Sequence, residues 1–181
     1  ILINKDKSAD GNLKFFNSDG GESGACGNGT RCIADLISKE KNNKTIILTT
    51  LSGSLKSKIL GNNLVTTEIG KARTKWNEIP LSEEIDTKNL DIKINDLSNH
   101  EHIGGIAINV GNPHVIFFVN DFENFNIKKI GPEIENNKMF PEKCNVTIAK
   151  VINKNLIKIK VWERGAGLTK ACGTAACATA F

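Results

Sequence analysis

Two short blocks, one near each end of the chain, set a cysteine beside a glycine where a helix is predicted to begin. In the first block Cys26 is followed by Gly27, and in the second Cys172 is followed by Gly173. Each block comes after a predicted strand and a glycine-rich loop, and each has a second cysteine shortly downstream. Repetition of one such unit predicts two related halves, mostly of β structure with one central helix each, joined near Lys71. A binding site is expected between such halves.

The hydrophobic pattern around these blocks predicts an α+β chain. Apolar runs and alternations indicate strands over residues 11–17, 45–50, 54–60, 63–69, 103–110, 115–119, 146–152 and 156–162. A 3.6-residue period of apolar side chains predicts a helix over 30–39. A short helix is expected within 120–137, and the small apolar residues from 175 to 181 predict the start of a helix that is buried on all sides.

The composition argues against several classes of function. The chain has a net charge of +4, with 39% hydrophobic and 24% charged residues, which is typical of a globular protein. Its lysines are scattered and aromatic residues are only 6%, so no nucleic-acid surface is predicted. No apolar run has the length of a membrane span, so no membrane partner is predicted either. The mild positive balance favours an anionic small-molecule substrate.

The five cysteines form an odd set, which indicates reduced thiols of a cytosolic protein rather than a disulfide framework. Their spacing does not match the paired hooks of a zinc site, and the His100–His102 pair has no evident third ligand, so no metal is predicted. Cys32 and Cys177 lie a turn or more inside their helices and are predicted to be core residues. Cys144 is predicted to be structural as well.

The first cysteine of each block has a different setting. A thiol at a helix N-terminus meets the positive end of the helix dipole and unpaired backbone N–H groups, so we expect a lowered pKa and a reactive thiolate. The same N–H groups can hold a carboxylate. If one thiolate removes an α-proton and the other thiol delivers a proton on the opposite face, the outcome is stereoinversion by two bases. Cys26 and Cys172 are therefore the predicted catalytic residues.

Three further residues are candidates for the site. Glu163 and Arg164 lie in a glycine-rich turn at the end of a predicted strand, where functional loops gather. Arg164 is suited to bidentate binding of a second carboxylate and Glu163 to an ammonium group, whereas an exposed salt bridge is the alternative for this pair. For His114 three interpretations stay open: a hydrogen-bonded loop histidine, a ligand, or a partner of a thiol.

Several blocks follow one another in a defined order. They are Asn17-Ser-Asp-Gly, Ala-Cys26-Gly-Asn-Gly-Thr-Arg-Cys32, Gly111-Asn-Pro-His114, and Glu163-Arg-Gly with Ala-Cys172-Gly-Thr. With them the chain resembles the diaminopimelate epimerase family over nearly its whole length. The resemblance implies two pseudo-symmetric domains, 1–71 and 72–181, each an antiparallel sheet or barrel wrapped around a central helix. It also implies conversion of LL- to meso-diaminopimelate without pyridoxal phosphate or metal, for lysine and peptidoglycan precursors.

The resemblance implies roles for individual residues. Cys26 and Cys172 match the two catalytic cysteines, and His114 and Glu163 match groups that help to ionise the thiols. Side chains that match binding groups for the distal, non-reacting end of the substrate are Asn17, Asn112, Asn145 and Arg164, with Glu163 near its amino group. The backbone cradles for the reacting carboxylate match Gly27-Asn28 and Gly173-Thr174. Family members are often homodimers, and the reduced cysteines predict a cytoplasmic location.

The sequence departs from the family pattern mainly at its ends. The N-terminal Gly-Asn-Asp-Phe block of the family, an Asp-Gln pair expected just before Ile1, and the closing C-terminal strands are not in the sequence. We therefore expect a fragment that folds poorly and is inactive when made alone. Ala175 also stands where a second glycine is common in the family.

Two alternatives remain open. A proline or hydroxyproline racemase resembles this family in its fold and its two cysteines, but it usually carries a histidine where this chain has Asn28. It would also have no need of Arg164, because proline has no second carboxylate. A non-catalytic amino-acid-binding protein on the same scaffold would need only the carboxylate cradles, so retention of both thiols argues against it.

Overall fold

The computed structural model describes residues 1–16, 20–24 and 26–181. The chain divides into two compact units, Ile1–Lys71 and Ala72–Phe181. Each unit has its own sheet and its own cluster of buried apolar side chains. In the described part of the chain, no helix combines the length and the hydropathy needed to span a membrane.

The first unit is a mixed sheet that carries one helix. Its elements are β1 (Leu2–Asn4), β2 (Gly11–Phe16), β3 (Glu22–Ser23), α1 (Gly27–Lys41), β4 (Thr45–Thr50), β5 (Gly53–Gly61) and β6 (Leu64–Thr67). The order across the sheet is β1-β2-β4-β5-β6, with β3 beside β2. Strands β2 and β4 run parallel, and α1 lies in the crossover that a parallel pair requires. The other neighbouring strands are antiparallel.

Helix α1 packs its apolar stripe on this sheet. Ala34 and Ile37 are buried together with Ile46 and Leu48, which alternate along β4. The helix ends at Asn42, whose left-handed backbone (φ 50°) forms the cap. It begins one turn earlier than predicted, because a cysteine cap rather than the hydrophobic period sets its start.

The second unit contains a ribbon and a larger sheet. Its strands and helices are β7 (Ile92–Asn95), β8 (Glu101–Gly104), β9 (Ile106–Asn109), β10 (Pro113–Phe118), α2 (Ile127–Glu135), β11 (Asn145–Asn153), β12 (Leu156–Glu163), β13 (Gly167–Thr169) and α3 (Gly173–Ala180). Strands β7 and β8 form the ribbon, and the larger sheet has the order β13-β12-β11-β10-β9. Here β10 and β11 are parallel, with α2 in their crossover, and the remaining pairs are antiparallel.

The α+β class is confirmed, but the main sheet of each unit is mixed rather than purely antiparallel. A local arrangement occurs once in each unit. In the first unit β1, β2 and β3 pair in antiparallel succession and lead into α1. In the second unit β11, β12 and β13 do the same and lead into α3. The weak repeat seen in the sequence therefore corresponds to three successive antiparallel strands that are followed by a helix.

The two faces of the larger sheet differ in chemistry. Val115 and Val146 point to the face where α2 packs, and they join the apolar cluster of this unit. The alternate residues of the same strands, His114, Asn145 and Thr147, point to the other face and are buried. Helix α3 contacts β10, β11 and β12, and its buried residues lie outside the apolar cluster. Buried polar groups are therefore concentrated on the α3 face.

Two predictions about elements were wrong, and one strand was not predicted. The strand predicted over 103–110 is broken at Gly104 and Gly105, whose φ angles of 152° and 119° turn the chain from the ribbon into the larger sheet. Strand β7 was missed. The last helix is not buried on all sides, since Ala176 is exposed while Ala175 and Ala178 are buried.

Of the predictions for the three cysteines outside the proposed catalytic pair, two were wrong and one was confirmed. Cys32 and Cys177 are exposed, so the core prediction was wrong for both, because each lies on the solvent side of its helix. Cys144 is fully buried, and its thiol donates to the carbonyl of Ile134 at 3.8 Å, which confirms a structural position. Burial is also the main cause of the strongly raised pKa of the Cys144 thiol.

Candidate active site

In the first unit, Cys26 is the N-cap of α1. Its backbone is extended (φ −145°, ψ 94°), and its Sγ accepts a hydrogen bond from the Gly29 N–H at 3.4 Å. The Cys26 carbonyl accepts from both the N–H and the hydroxyl of Thr30, each at 2.9 Å. Gly29 is needed for close packing, because an added Cβ would lie 2.9 Å from the Phe15 ring and 3.2 Å from the Cys26 sulfur. The helix start thus fixes the position of the half-buried thiol.

In the second unit, Cys172 has the equivalent position at the start of α3. It is the N-cap, with an extended backbone (φ −134°, ψ 109°), and its Sγ accepts from the Ala175 N–H at 3.5 Å. The Thr174 hydroxyl lies 3.3 Å from the same sulfur. Both predicted catalytic cysteines therefore cap a helix through the N–H of its third residue, as Ser, Thr, Asp or Asn caps do.

The electrostatic setting of Cys172 differs from the prediction. Burial raises the pKa of its thiol, and the neighbouring Glu163 carboxylate raises that pKa further, both by its charge and as a hydrogen-bond acceptor. Hydrogen bonds from Thr174 and Ala175 lower the pKa, but they do not reverse the shift. The expectation of a lowered pKa is therefore wrong for Cys172 in net direction. These causes favour the thiol form of Cys172.

Glu163 is the last residue of β12 and Arg164 begins the turn after it, which is closed by a hydrogen bond from Ala166 N–H to the Glu163 carbonyl at 3.0 Å. The Thr169 hydroxyl donates to the Glu163 carboxylate. The Arg164 guanidinium donates to the Glu142 carbonyl at 2.8 Å. The pair thus makes directed contacts to its own hairpin and to the chain before β11.

Asn145 connects this turn to the sheet. Its side-chain N–H donates to the Pro113 carbonyl at 2.8 Å, and its Oδ1 accepts from the Arg164 N–H at 3.0 Å. The side chain is buried, with 2% exposure. Asn145 therefore links the start of β10 to the backbone of the predicted substrate-binding arginine.

His114 is fully buried within β10 rather than in a loop. Its Nε2 lies 2.9 Å from Oδ1 of Asn112. Burial, with a smaller contribution from the positive charge of Arg164, lowers the pKa of His114 to about 3. The imidazole is therefore neutral near pH 7, and its Nε2 donates to the Asn112 oxygen. Among the described residues, neither Nδ1 of His114 nor Oγ1 of the buried Thr147 has a hydrogen-bond partner.

The remaining predicted binding residues have the following positions. Gly27 and Asn28 form the first turn of α1, and the Asn28 oxygen accepts from Arg31 at 2.6 Å. Gly173 and the buried Thr174 form the first turn of α3. Asn17 lies outside the described residues. Predicted site residues therefore gather at a helix start in each unit, together with the β10 and β12 ends in the second.

Other candidates lie apart from these groups. His100 and His102 contact the Asp96 carboxylate at 3.3 and 3.4 Å, and Asn124 and backbone N–H groups also donate to it. The described residues contain no group of three or more His, Cys, Asp or Glu side chains arranged to hold a metal ion. A cavity of about 320 Å³ near Trp76 and Ile85 includes none of the predicted site residues.

The Thr169 hydroxyl, which donates to the Glu163 carboxylate, was not predicted from the sequence. Thr174 was predicted only as part of a backbone cradle, and its hydroxyl also lies 3.3 Å from the Cys172 sulfur. The signal for Thr169 was present in the register, because Val161 pairs with Thr169 and Glu163 pairs with Gly167, so period-2 alternation puts Glu163 and Thr169 on one face.

Structural comparison first defines the class of fold. The chain is similar to a hydroxyproline epimerase from Agrobacterium vitis, solved with bound trans-4-hydroxy-L-proline, at a TM-score of 0.65 and 14% identity, over 99% of this chain and 57% of that one. It is also similar to a PhzF-family phenazine biosynthesis protein from Bacillus anthracis, with a TM-score of 0.56 and 14% identity, over 96% of this chain and 61% of that one. The fold is thus the α+β scaffold that these proteins share.

Sequence comparison then identifies the family. The family model for diaminopimelate epimerase matches residues 1–75 and 106–181. The chain is 72% identical to the diaminopimelate epimerase of Pelagibacter ubique (strain HTCC1062), over 99% of this chain and 66% of that protein. It is 41% identical to that of Acidiphilium cryptum (strain JF-5), over 98% of this chain and 62% of that protein. The chain belongs to the diaminopimelate epimerase family, and it spans slightly less than two thirds of the length of these relatives.

Proposed function

We propose that the complete protein is an isomerase that interconverts LL- and meso-diaminopimelate by two-base proton transfer at Cys26 and Cys172, without a cofactor. The observation that carries this proposal is the equivalent position of the two thiols. Each caps a helix start through the N–H of the third helical residue, Gly29 or Ala175. The family assignment and the 72% identical diaminopimelate epimerase support the choice of substrate.

The proposed chemistry needs one base and one acid. One cysteine, as thiolate, takes the α-proton, so the C–H bond breaks, an S–H bond forms, and the electron pair moves into the carboxylate. The other cysteine, as thiol, gives its proton to the opposite face of the same carbon. The raised pKa of Cys172 supports a resting thiol there, and the adjacent Glu163 is suited to accept its proton when the reaction runs in the other direction.

The helix starts are the proposed cradle for the reacting carboxylate. Backbone N–H groups at Gly27-Asn28 and at Gly173-Thr174 belong to the first turns of α1 and α3, at the positive ends of the two helix dipoles. They favour the negative charge that develops on the carboxylate as the α-proton leaves. The two helix starts are therefore proposed to provide both the anion binding and the thiols.

The distal end of the substrate needs a separate set of groups. We assign its carboxylate to Arg164, aided by Asn17, Asn112 and Asn145, and its amino group to the vicinity of Glu163. The contact between the Arg164 backbone and Asn145 supports a fixed position for this arginine. His114 is proposed to assist as a neutral imidazole, since its pKa of about 3 leaves one ring nitrogen as a hydrogen-bond acceptor.

The test is α-proton exchange in D₂O, followed by NMR, with LL-diaminopimelate, L-proline and trans-4-hydroxy-L-proline offered separately to the longest chain that the gene encodes. We expect exchange and inversion with diaminopimelate alone. Cys26→Ala and Cys172→Ala should each abolish inversion. The exposed cysteines of the same helices supply matched controls, so Cys32→Ala and Cys177→Ala should retain it.

The other outcomes identify the alternatives. Exchange with either proline compound would replace the proposal with the racemase function. Binding of diaminopimelate without any exchange, by a folded protein, would replace it with a non-catalytic amino-acid-binding function. Inversion that persists in either cysteine variant would contradict the two-base mechanism while leaving the substrate assignment intact.

We propose further that the complete enzyme is a cytoplasmic homodimer that serves lysine and peptidoglycan precursor synthesis. The odd number of cysteines supports a reducing compartment. Light scattering after size exclusion measures the oligomeric state, and cell fractionation measures the location. Complementation of a strain that needs added diaminopimelate tests the pathway, with Cys172→Ala as the negative control.

A further inference from the structure

The last residue of helix α2, Glu135, is a buried carboxylate with 7% exposure. Its two oxygens accept hydrogen bonds from different places in the β12 hairpin. Oε2 accepts from the Trp162 indole N–H at 2.7 Å, and Oε1 accepts from the Gly165 N–H at 3.0 Å. One side chain therefore links the end of α2 to both the end of β12 and the turn after it.

The end of a helix and a buried environment are both unfavourable for a carboxylate. A negative charge at a helix C-terminus faces the negative end of the helix dipole, and the last turn of α2 contains no basic residue. Burial of a carboxylate also costs free energy unless hydrogen bonds replace its hydration. A residue that breaks two local preferences at once is expected to serve a need elsewhere in the molecule.

The turn of residues 163–167, which we call the Glu163 turn, requires hydrogen-bond acceptors that hold its backbone in place. Gly165 has a φ of 69°, in the left-handed region, so the path of the turn depends on a glycine and on the bonds that hold it. Asn145 accepts from the Arg164 N–H on one side, and Glu135 accepts from the next N–H, that of Gly165. Two consecutive backbone N–H groups of the turn are thus held by two buried side chains.

Glu135 acts from the face of the sheet opposite to the proposed chemistry. Side chains alternate along β12, so Trp162 points to the α2 face and Glu163 to the α3 face. Trp162 is itself packed closely on α2, because a Cβ on Gly131 would lie only 2.3 Å from its Cγ. Glu135 is therefore placed to act through the backbone of the Glu163 turn.

We infer that Glu135 is a positioning residue, which holds the Glu163 turn so that Arg164 meets the distal carboxylate of the substrate. The inference rests on the proposed function. A guanidinium binds a carboxylate bidentately only when its plane is correctly placed, and a displacement of about 1 Å can cost about a hundredfold in activity. Because the distal end of the substrate does not react, its contacts contribute mainly to KM.

Steady-state kinetics with LL-diaminopimelate test this role, using the longest chain that the gene encodes. We expect Glu135→Ala to raise KM at least about tenfold, with kcat within about threefold of the wild type. Glu135→Gln keeps one acceptor oxygen and should give an intermediate KM. Glu133 is exposed on the same helix, so Glu133→Gln is the matched control and should leave both constants unchanged.

Amide hydrogen exchange at Gly165 gives a readout that needs no activity. Loss of the acceptor in Glu135→Ala should speed exchange of this amide at least about tenfold, whereas Glu133→Gln should not. A wild type that does not epimerise diaminopimelate would refute the proposed function, while the Gly165 exchange rate would still decide whether Glu135 holds the turn. A folded Glu135→Ala with unchanged KM and unchanged Gly165 exchange would refute the inference about Glu135.

Discussion

Replacement of Gly131 by alanine should destabilise the second unit through a single added methyl group. The new Cβ would lie 2.3, 2.5 and 2.6 Å from Cγ, Cδ2 and Cβ of Trp162, far inside the normal contact distance of about 3.5–4.0 Å. These atoms are the root of a rigid side chain, so either the indole or helix α2 must move by about 1 Å.

The magnitude follows from two opposing effects. Overpacking of a core costs about 1–3 kcal/mol in the free energy of unfolding. We expect a cost near the upper end, about 3 kcal/mol, because the added methyl group meets the root of the indole side chain, which cannot move by a simple rotation. Alanine regains about 1 kcal/mol over glycine within a helix. The net loss of about 2 kcal/mol in the free energy of unfolding should lower the Tm of the second unit, Ala72–Phe181, by about 9 °C.

Tryptophan fluorescence during thermal unfolding measures this loss selectively. Both tryptophans, Trp76 and Trp162, lie in the second unit. Glu133→Ala, on the exposed side of the same helix, is the control and should change the free energy of unfolding by no more than about 0.5 kcal/mol. If Gly131→Ala unfolds at or above the temperature of the wild type, the close packing of Trp162 on α2 is wrong.

Three other predictions concern the first helix, the buried histidine and the thiols. Gly29→Ala should lower the stability of the first unit by about 1–3 kcal/mol, measured by circular dichroism during urea unfolding, because its Cβ would meet two side chains at 2.8 and 2.9 Å. The pKa of His114 is lowered to about 3 from 6.5, so the unfolded state binds more protons between these values. Stability should therefore fall as the pH decreases from 6.5 towards 3, by up to about 1.4 kcal/mol per pH unit, and urea titrations from pH 7 to 4.5 should show a smaller slope in His114→Gln. With a thiol reagent, the exposed Cys32 and Cys177 should react rapidly in the native protein, and the buried Cys144 only after denaturant is added; rapid native labelling of Cys144 would contradict its burial.

Local patterns in the sequence predicted most strands well, and the helix starts to within about one turn. The apolar alternation in β4 and the turn residues between β11 and β12 are local signals. These three strands were therefore predicted at nearly their observed bounds. Cys26 and Cys172 were predicted at helix starts from their glycine neighbours, and both are N-caps. The break at Gly104 and Gly105 was missed because an apolar run can continue across two sheets.

Properties that depend on tertiary surroundings were predicted less well. The position of Cys172 within its helix was visible, but its burial and its proximity to Glu163 arise from the packing of α3 and the β12–β13 hairpin, and these raise the pKa. Cys177 was assigned to the core because it lies a turn or more inside its helix, yet helical geometry turns it to solvent. Glu135 was not singled out at all, since its partners are 27 and 30 residues away in the sequence.

The most direct test of the central claim follows deuterium in the first turnovers of LL-diaminopimelate in D₂O. Mass spectrometry would measure the label separately in the meso product and in the recovered LL substrate. With Cys26 and Cys172 as two distinct bases, the proton taken from one face is held by one sulfur and the solvent-derived deuteron arrives from the other. The meso product should then carry one deuterium while the recovered LL compound carries none. Deuterium that enters the LL compound as fast as the meso product forms would contradict the two-base account.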